Sequence, residues 1–151
     1  ETINGTLVFD GAIWPPAEIG KLKEPVKLTL KDGIVTDITG GVEADIFASW
    51  LASYDDPDCY RLAHYSQGFN PGVTKPTGRI VEDERVFGCM EFGIGSQGKA
   101  IMGKCWDAPC HTDGILLKPT IILDDVVIEQ DGVYVDPVAR EICRKMGVAG
   151  Y

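Results

Sequence analysis

The chain has 151 residues, of which 44% are hydrophobic and 25% are charged, and both values are ordinary for a folded globular protein. Its 23 acidic and 14 basic residues give a net charge of -9, which argues against binding through clustered lysines and arginines to nucleic acids or anionic lipids. No apolar run approaches the roughly 18 residues that span a bilayer. Charge and apolar run length together therefore predict neither nucleic-acid nor membrane partners.

The first third of the chain predicts a sheet followed by a helix. Residues 4–10 alternate in polarity like a strand, and residues 11–16 interrupt it. Residues 26–38 contain two alternating runs joined by Asp32-Gly33, which is a strong hairpin signal. The apolar period then becomes helical over residues 42–54.

The rest of the chain predicts short strands and a closing helix. The expected strands are 60–65, 79–81, 87–92, 115–117, 120–123, 126–129 and 133–135. The closing helix covers residues 137–146, with Asp136 as its N-cap and Gly147 after its last turn. The predicted fold class is therefore α+β: one β-rich domain with a mixed or antiparallel sheet and two to three helices.

Cysteine usage predicts reduced thiols. The five cysteines are an odd number, and the closest pair, Cys105 and Cys110, is not a C-x-x-C metal or redox motif. No secretion signal is visible, so a cytoplasmic protein is expected. The chain begins with Glu1 rather than Met, and we expect it to be part of a longer protein.

The segment Cys110-His111-Thr112-Asp113-Gly114 is the sharpest candidate for metal chemistry. In an extended chain, residues i and i+2 point to the same side, so His111 and Asp113 can face one ion. An imidazole and a carboxylate are suitable ligands for a first-row transition metal. The pattern is also compatible with a turn-capping aspartate beside a hydrogen-bonded histidine.

The other histidine, His64, follows a short apolar run and precedes a glycine-rich segment, a place from which ligands are often presented. If His64 meets His111 and Asp113 in space, two imidazoles and one carboxylate result. That set suits a non-haem Fe(II) centre with open coordination positions. The alternative is a histidine that simply bonds to a backbone carbonyl.

Glu91 and Tyr65 are candidate catalytic residues. Glu91 lies in an apolar run, where a charge is costly unless it is paired or bound to a metal; an outward-facing strand glutamate is the alternative. Tyr65 can donate a hydrogen bond to a substrate oxygen, although an interior tyrosine is an equally good interpretation. Trp14 and Trp106 can line an aromatic pocket or pack against loops.

Residues 93–98 match the pattern G-x-G-x-x-G. A dinucleotide site requires a helix that opens at this loop, but the following residues 99–104 are few and are interrupted by a glycine. A tight loop beside a pocket is therefore expected instead of a Rossmann site.

Three segments, 64–72, 82–95 and 111–120, occur in an order that resembles a known group. They are similar to the carboxy-terminal part of the thermophilic aminopeptidase superfamily. Within it they most resemble the 2,5-dihydroxypyridine 5,6-dioxygenases, which are Fe(II) enzymes that cleave a ring in nicotinate breakdown. The resemblance covers most of the chain.

The resemblance implies metal ligands that differ from those of the peptidases. In the peptidase branch the position of His64 is a glutamate and that of Glu91 is a histidine, and both serve a pair of metal ions. The present chain has these two types exchanged and keeps His111 and Asp113. The resemblance therefore implies one Fe(II) bound by His64, His111 and Asp113, with Glu91 or Tyr65 to carry protons.

The function predicted in this way is an Fe(II)-dependent ring-cleaving dioxygenase whose partners are a small hydroxylated pyridine and O2. Residues 1–151 are expected to be the metal-binding carboxy-terminal domain of a longer two-domain enzyme, which we expect to be a homo-oligomer. One alternative is an aminopeptidase-like hydrolase with two metal ions. Another is a non-catalytic oligomerisation module, in which His64 and His111 would lie far apart.

Overall fold

Antiparallel strand pairing organises the chain into three sheets. The computed structural model describes residues 2–98 and 105–151. The strands are β1 (Gly5–Phe9), β2 (Ala12–Trp14), β3 (Gly20–Lys21), β4 (Val26–Lys31), β5 (Ile34–Thr39), β6 (Leu62–Gln67), β7 (Cys89–Gly95), β8 (His111–Leu117), β9 (Ile121–Leu123), β10 (Val126–Gln130) and β11 (Val133–Tyr134). The helices are α1 (Val42–Ala52), α2 (Ile80–Asp83) and α3 (Pro137–Lys145), with a 3-10 turn at Pro57–Tyr60.

The order of the strands separates one central sheet from two smaller ones. The central sheet has the order β3-β2-β8-β7-β6, and the smaller sheets have the orders β1-β4-β5 and β11-β10-β9. All pairings between these named strands are antiparallel. The α+β, β-rich class predicted from the sequence is therefore confirmed, with antiparallel sheets and three α-helices among the described residues.

The larger hydrophobic core lies between the β1-β4-β5 sheet, α1 and one face of the central sheet. Val26, Leu28 and Leu30 of β4 point inwards while the residues between them are exposed, as strict alternation requires. Phe47 and Leu51 of α1 are fully buried in the same core. Full burial of one such side chain contributes about 1.5–3 kcal/mol, so this core accounts for much of the stability.

The two faces of the central sheet have different surroundings. Ile13 of β2 and Ile94 of β7 point into the larger core. Ala12, Cys89 and Ile115 belong to the opposite face and form a smaller apolar cluster with residues of the segment that contains α2. Glu91 and Asp113 lie on this second face, because each is two residues from a member of that cluster.

Two predicted elements differ from the structure. Residues 79–81 were expected to be a strand, but Ile80–Asp83 is helical. The buried carboxylate of Asp83 accepts hydrogen bonds from the backbone N–H groups of Thr77 and Gly78, at 2.6 and 2.8 Å, and this tight local turn overrides the β-branched residues. Residues 11–16 were expected only to interrupt the first strand, but they contain the short strand β2. This strand forms because its residues pair with β8.

Other expected features are confirmed. The two hairpins, β4-β5 and β10-β11, form as predicted. The side chain of Asp136 accepts hydrogen bonds from the N–H groups of Val138 and Ala139, so it caps α3. Among the described residues, no helix is both long enough and apolar enough to cross a membrane. The segment 99–104, which was expected to exclude a Rossmann helix, lies outside the described residues.

Candidate metal centre

Register in the central sheet brings the candidate residues into one row. His64 of β6 is opposite Gly93 of β7, Gly93 is opposite Asp113 of β8, and Asp113 is opposite Trp14 of β2. Directly opposed residues in antiparallel strands project to the same face. His111, two residues before Asp113 in β8, also projects to this face. Strand pairing therefore places both histidines and the aspartate on the same side of the sheet.

The three side chains converge on a small volume. Asp113 Oδ1 lies 3.0 Å from His111 Nε2 and 3.5 Å from His64 Nε2. The two imidazole rings are stacked with their centroids 5.3 Å apart. One ligand atom from each residue lies within 4.8 Å of the other two. His64 and His111 are thus close together, which is contrary to the expectation for a non-catalytic module.

Gly93 provides the space that the His64 ring occupies. A Cβ atom built on Gly93 would lie 2.6 Å from Nδ1 of His64, closer than real Cβ atoms approach other atoms, and would overlap the rest of the ring. The imidazole therefore lies directly over the backbone of β7. Any larger residue at position 93 would displace His64 from Asp113.

His111 is oriented by a backbone carbonyl. Its Nδ1 lies 2.7 Å from the carbonyl oxygen of Ser96, and a carbonyl can only accept, so Nδ1 carries the hydrogen and donates it. This tautomer leaves the lone pair of Nε2 directed towards Asp113. Ser96 is itself held by a backbone hydrogen bond from its N–H to the carbonyl of Cys110. An N–H···O=C bond of this kind is the usual support of a metal-binding histidine.

Glu91 is a buried carboxylate next to the three converging residues. It is only 2% exposed, and its Oε2 accepts a hydrogen bond of 2.8 Å from the hydroxyl of Ser66. Its Oε1 lies 3.1 Å from His64 Nε2. Of the two interpretations that the sequence left open for Glu91, the buried and paired carboxylate is the one found, and the outward-facing strand glutamate is not.

The electrostatics of the site favour positive charge. Contact with Glu91 raises the pKa of His64, and contact with Asp113 raises the pKa of His111. Burial alone would raise the pKa of Asp113, but the neighbouring His111 and His64 outweigh burial and lower this pKa. Burial raises the pKa of Glu91, against the opposing effect of His64. The ionised carboxylates of Asp113 and Glu91 therefore need positive charge nearby, from protonated histidines or from a bound cation.

The residues present fit a divalent metal ion. Asp113 Oδ1 and Glu91 Oε1 are buried without a well-directed hydrogen bond, even though nitrogen atoms lie at contact distance. Such orphaned oxygens are costly unless a cation satisfies them. Two cis ligands at about 2.1 Å from one ion are roughly 3 Å apart, which is close to the separations around Asp113 Oδ1. Two imidazoles and one carboxylate suit Fe(II) with open coordination positions.

The structure does not bring Tyr65 to this cluster. Tyr65 follows His64 in β6 and therefore points to the opposite face, where it is 62% exposed and packs beside Phe92 at a centroid distance of 6.2 Å. Glu91, in contrast, lies beside the cluster, with its Oε1 3.1 Å from His64 Nε2. A catalytic role for Tyr65 stays a prediction without a contact to support it.

Three supporting residues were missed from the sequence alone. Gly93, Ser66 and Ser96 hold His64, Glu91 and His111 respectively. Gly93 was noticed only as part of the 93–98 glycine pattern. Gly95 of that pattern ends β7, and the carbonyl of Ser96 contacts His111. The expected tight loop beside a pocket continues into residues 99–104, which lie outside the described residues, and stays a prediction.

The fold and these side chains describe a β-rich α+β domain that carries a candidate site of two imidazoles and one carboxylate. The sequence model of the 2,5-dihydroxypyridine 5,6-dioxygenase family matches residues 1–136. The chain therefore belongs to this family.

A named protein and a solved structure, both from Pseudomonas putida KT2440, are similar to the chain. A protein named 2,5-dihydroxypyridine 5,6-dioxygenase is 30% identical over 146 residues, covering 91% of this chain and 41% of the relative. A solved structure of 2,5-dihydroxypyridine dioxygenase superposes with a TM-score of 0.74 at 27% identity, covering 90% of this chain and 41% of that one. The chain thus spans about 41% of the length of both relatives.

Proposed function

We propose that this chain contains the Fe(II) site of a dioxygenase that opens the ring of 2,5-dihydroxypyridine. The observation that carries the proposal is the convergence of His64, His111 and Asp113, with ligand atoms within 4.8 Å of one another. Family membership and the name of the 30% identical relative support the substrate and the reaction. The metal is proposed from the ligand types, since two imidazoles and one carboxylate are the usual set of non-haem Fe(II) oxygenases.

His64, His111 and Asp113 would hold the ion. When bound, Fe(II) would supply open coordination positions at which the substrate oxygen and O2 come together. The Ser96 carbonyl keeps His111 in the tautomer whose Nε2 is unprotonated. Gly93 keeps His64 next to Asp113. The resulting centre carries a single aspartate charge among its three ligands, so an ionised substrate oxygen can be accommodated nearby.

Glu91 is proposed as the group that accepts a proton from the substrate. The Ser66 hydroxyl fixes Oε2, which leaves Oε1 directed towards the metal cluster. The hydroxyl of a hydroxypyridine must lose its proton before the ring becomes electron-rich enough for attack, and Oε1 can receive that proton. Burial raises the pKa of Glu91, which makes its ionised form a stronger base than an exposed carboxylate.

We further propose that residues 1–151 form the carboxy-terminal, metal-binding domain of a longer cytoplasmic enzyme. The coverage of about 41% of both relatives supports a longer enzyme. The carboxy-terminal position and the cytoplasmic location are carried over from the sequence analysis. The placement within the thermophilic aminopeptidase superfamily and the formation of homo-oligomers are part of the same proposal. The superfamily placement rests on the sequence resemblance described above.

The test uses the full-length protein, purified without metal and loaded with Fe(II) under anaerobic conditions. Addition of 2,5-dihydroxypyridine and air should cause O2 uptake and loss of the ring absorbance, with one O2 consumed per ring opened. Metal analysis should give one iron per chain. A preparation loaded with Zn(II) is the control, since zinc fits the ligands but has no redox chemistry.

Two results would contradict the proposal. Release of amino acids from peptides, with two metal ions per chain, would instead indicate a hydrolase of the aminopeptidase type, which needs paired ions about 3.5–4 Å apart. Iron bound at one per chain without O2 uptake would refute the dioxygenase activity while leaving the metal site in place.

A further inference from the structure

Trp106 is bound to the turn that orients His111. Its indole Nε1–H donates a hydrogen bond of 2.8 Å to the carbonyl oxygen of Gly95. Its own backbone carbonyl accepts hydrogen bonds from the N–H of Gln97, at 3.2 Å, and from the hydroxyl of Ser96, at 3.4 Å. Trp106 therefore contacts three successive residues at the point where β7 ends.

These contacts hold both peptide groups that flank Ser96. In the group before it, the carbonyl of Gly95 accepts from the indole N–H, and the N–H of Ser96 donates to the carbonyl of Cys110 at 2.8 Å. In the group after it, the N–H of Gln97 donates to the tryptophan carbonyl, and the carbonyl of Ser96 accepts from Nδ1 of His111. A peptide group is planar, so hydrogen bonds at both of its ends set the direction of its carbonyl.

The backbone at this turn depends on such support. Gly95 has a φ of +100°, and a Cβ atom there would overlap the carbonyl oxygen of Cys110, so the position requires glycine. Glycine adopts many backbone conformations, and its own preferences therefore do not determine where Ser96 points. The strand pairing also ends here, since Gly95 and His111 are the last pair between β7 and β8. The hydrogen bonds to Trp106 thus supply order that the sheet does not.

The indole ring is itself held by Arg61. The guanidinium carbon lies over the ring of Trp106, 4.1 Å from its centroid, which is a cation–π contact. The side chain of Arg61 is oriented by an ion pair of 3.2 Å with Asp58. The backbone carbonyl of Arg61 accepts a hydrogen bond of 2.8 Å from the N–H of Gly95. Arg61 therefore holds the tryptophan and the turn that it supports in one arrangement.

We propose that Trp106 is a positioning residue that holds the Ser96 carbonyl, and through it the ring of His111, in the orientation that binds the metal. The inference rests on the proposed function, because it takes His111 as a metal ligand, and it adds a support that lies outside the ligand set. Loss of the group that binds the second nitrogen of a histidine ligand typically lowers metal affinity by about 10- to 100-fold. Trp106 acts through one further contact, so we expect the lower end of this range.

The test removes only the indole donor. Trp106→Phe keeps an aromatic ring beneath Arg61 but has no N–H to donate. The full-length wild type and variant are loaded with Zn(II), which fits the ligand types and is diamagnetic, and NMR spectra record the assigned Nδ1 proton of His111. In wild type this proton should lie downfield and exchange slowly with water, because it is bonded to the Ser96 carbonyl. In Trp106→Phe it should move upfield and exchange faster, and the affinity for Zn(II) should fall about tenfold.

Two further variants separate positioning from a general loss of structure. Trp50→Phe makes the same change on α1, where the tryptophan packs against the larger core and the ring of Phe47. It should leave the Nδ1 proton of His111 and the Zn(II) affinity unchanged. Arg61→Gln removes the cation from the ring face but keeps the indole N–H. It should move the same proton in the same direction as Trp106→Phe, by a smaller amount.

The outcomes distinguish this inference from the proposed function. If the His111 proton keeps its wild-type shift and exchange rate in Trp106→Phe, the positioning role is refuted and the metal centre stands. An equal movement of this proton in Trp50→Phe would also refute it, since the effect would then not depend on the contacts of Trp106. Zn(II) uptake by wild type without O2 consumption by the Fe(II) form would refute the dioxygenase alone. If wild type takes up neither metal, both proposals fail.

Discussion

The imidazole of His64 lies directly over Gly93 of the neighbouring strand, so closely that a Cβ on Gly93 would lie 2.6 Å from Nδ1 of the ring. The backbone of β7 is therefore part of the candidate metal site, although it supplies no ligand atom. This contact explains how a residue of the edge strand β6 reaches Asp113 across the intervening strand.

Gly93→Ala is expected to weaken metal binding without unfolding the protein. The added methyl group would force the His64 ring away from Asp113, and displacement of a ligand or its support typically costs 10- to 100-fold in affinity, to order of magnitude. Equilibrium dialysis with Fe(II) or Co(II) measures the loss. Gly72→Ala is a suitable control, since a Cβ there meets only the end of the Asn70 side chain. Unchanged metal affinity in Gly93→Ala would show that His64 is not a ligand in this position.

Asp113→Asn should cause a larger loss of metal affinity, of at least about 100-fold, because it removes the one charged ligand while keeping the size of the side chain. Metal content after gel filtration is the simplest readout. Asp107→Asn, an exposed aspartate, is the control and should retain its metal. If Asp113→Asn binds Fe(II) like wild type, the carboxylate does not coordinate the ion.

Glu91→Gln should retain the metal but lose turnover. The amide keeps a hydrogen-bond acceptor for Ser66 but cannot take up a proton, and loss of a positioned general base typically lowers kcat by about 10²–10⁴-fold. The measurement is kcat from O2 uptake, alongside iron per chain. Loss of iron together with activity would instead make Glu91 a metal ligand. Full activity would exclude it from proton transfer.

Glu129 is expected to make the free energy of unfolding depend on pH. It is fully buried with neither carboxylate oxygen hydrogen-bonded, and burial raises its pKa from 4.5 to about 7. The unfolded chain therefore releases this proton at lower pH than the folded protein does. Between about pH 4.5 and pH 7 the folded state binds more protons, so the free energy of unfolding falls as pH rises, by up to about 3 kcal/mol.

Glu129→Gln should remove this dependence and stabilise the protein at pH 8 relative to wild type. Urea unfolding at pH 5 and pH 8 measures the difference. Glu141→Gln, at an exposed position of α3, is the control and should leave the pH dependence unchanged. An identical pH dependence in Glu129→Gln and wild type would mean that another group is responsible.

Local patterns in the sequence were sufficient for much of the fold. The β4-β5 hairpin follows from Asp32-Gly33 between two alternating runs, and the capped start of α3 follows from Asp136 before Pro137. Such signals act between residues that are close in the chain. The short helix α2 was not predicted. It depends on the buried side chain of Asp83, which accepts hydrogen bonds from the backbone N–H groups of the preceding turn.

The candidate site could likewise be predicted only in part from local patterns in the sequence. His111 and Asp113 could be paired from their i and i+2 spacing alone, because a strand places both on one face. Tyr65 could be named as a candidate, but the sequence does not show whether Tyr65 or its neighbour projects to the face of the sheet that carries the site. His64 points to the cluster, and its immediate neighbour therefore points away.

The sequence by itself determined the secondary-structure pattern, the donor types available for a metal and, through the resemblance, the family to be tested. Only the tertiary structure decided that His64 meets Asp113, that Gly93 provides room for the ring and that Trp14 is the cross-strand neighbour of Asp113. These relationships depend on strand register across β6, β7, β8 and β2, whose residues are far apart in the chain. Register arises from packing of whole strands, and a shift of one residue would turn every one of these side chains to the other face.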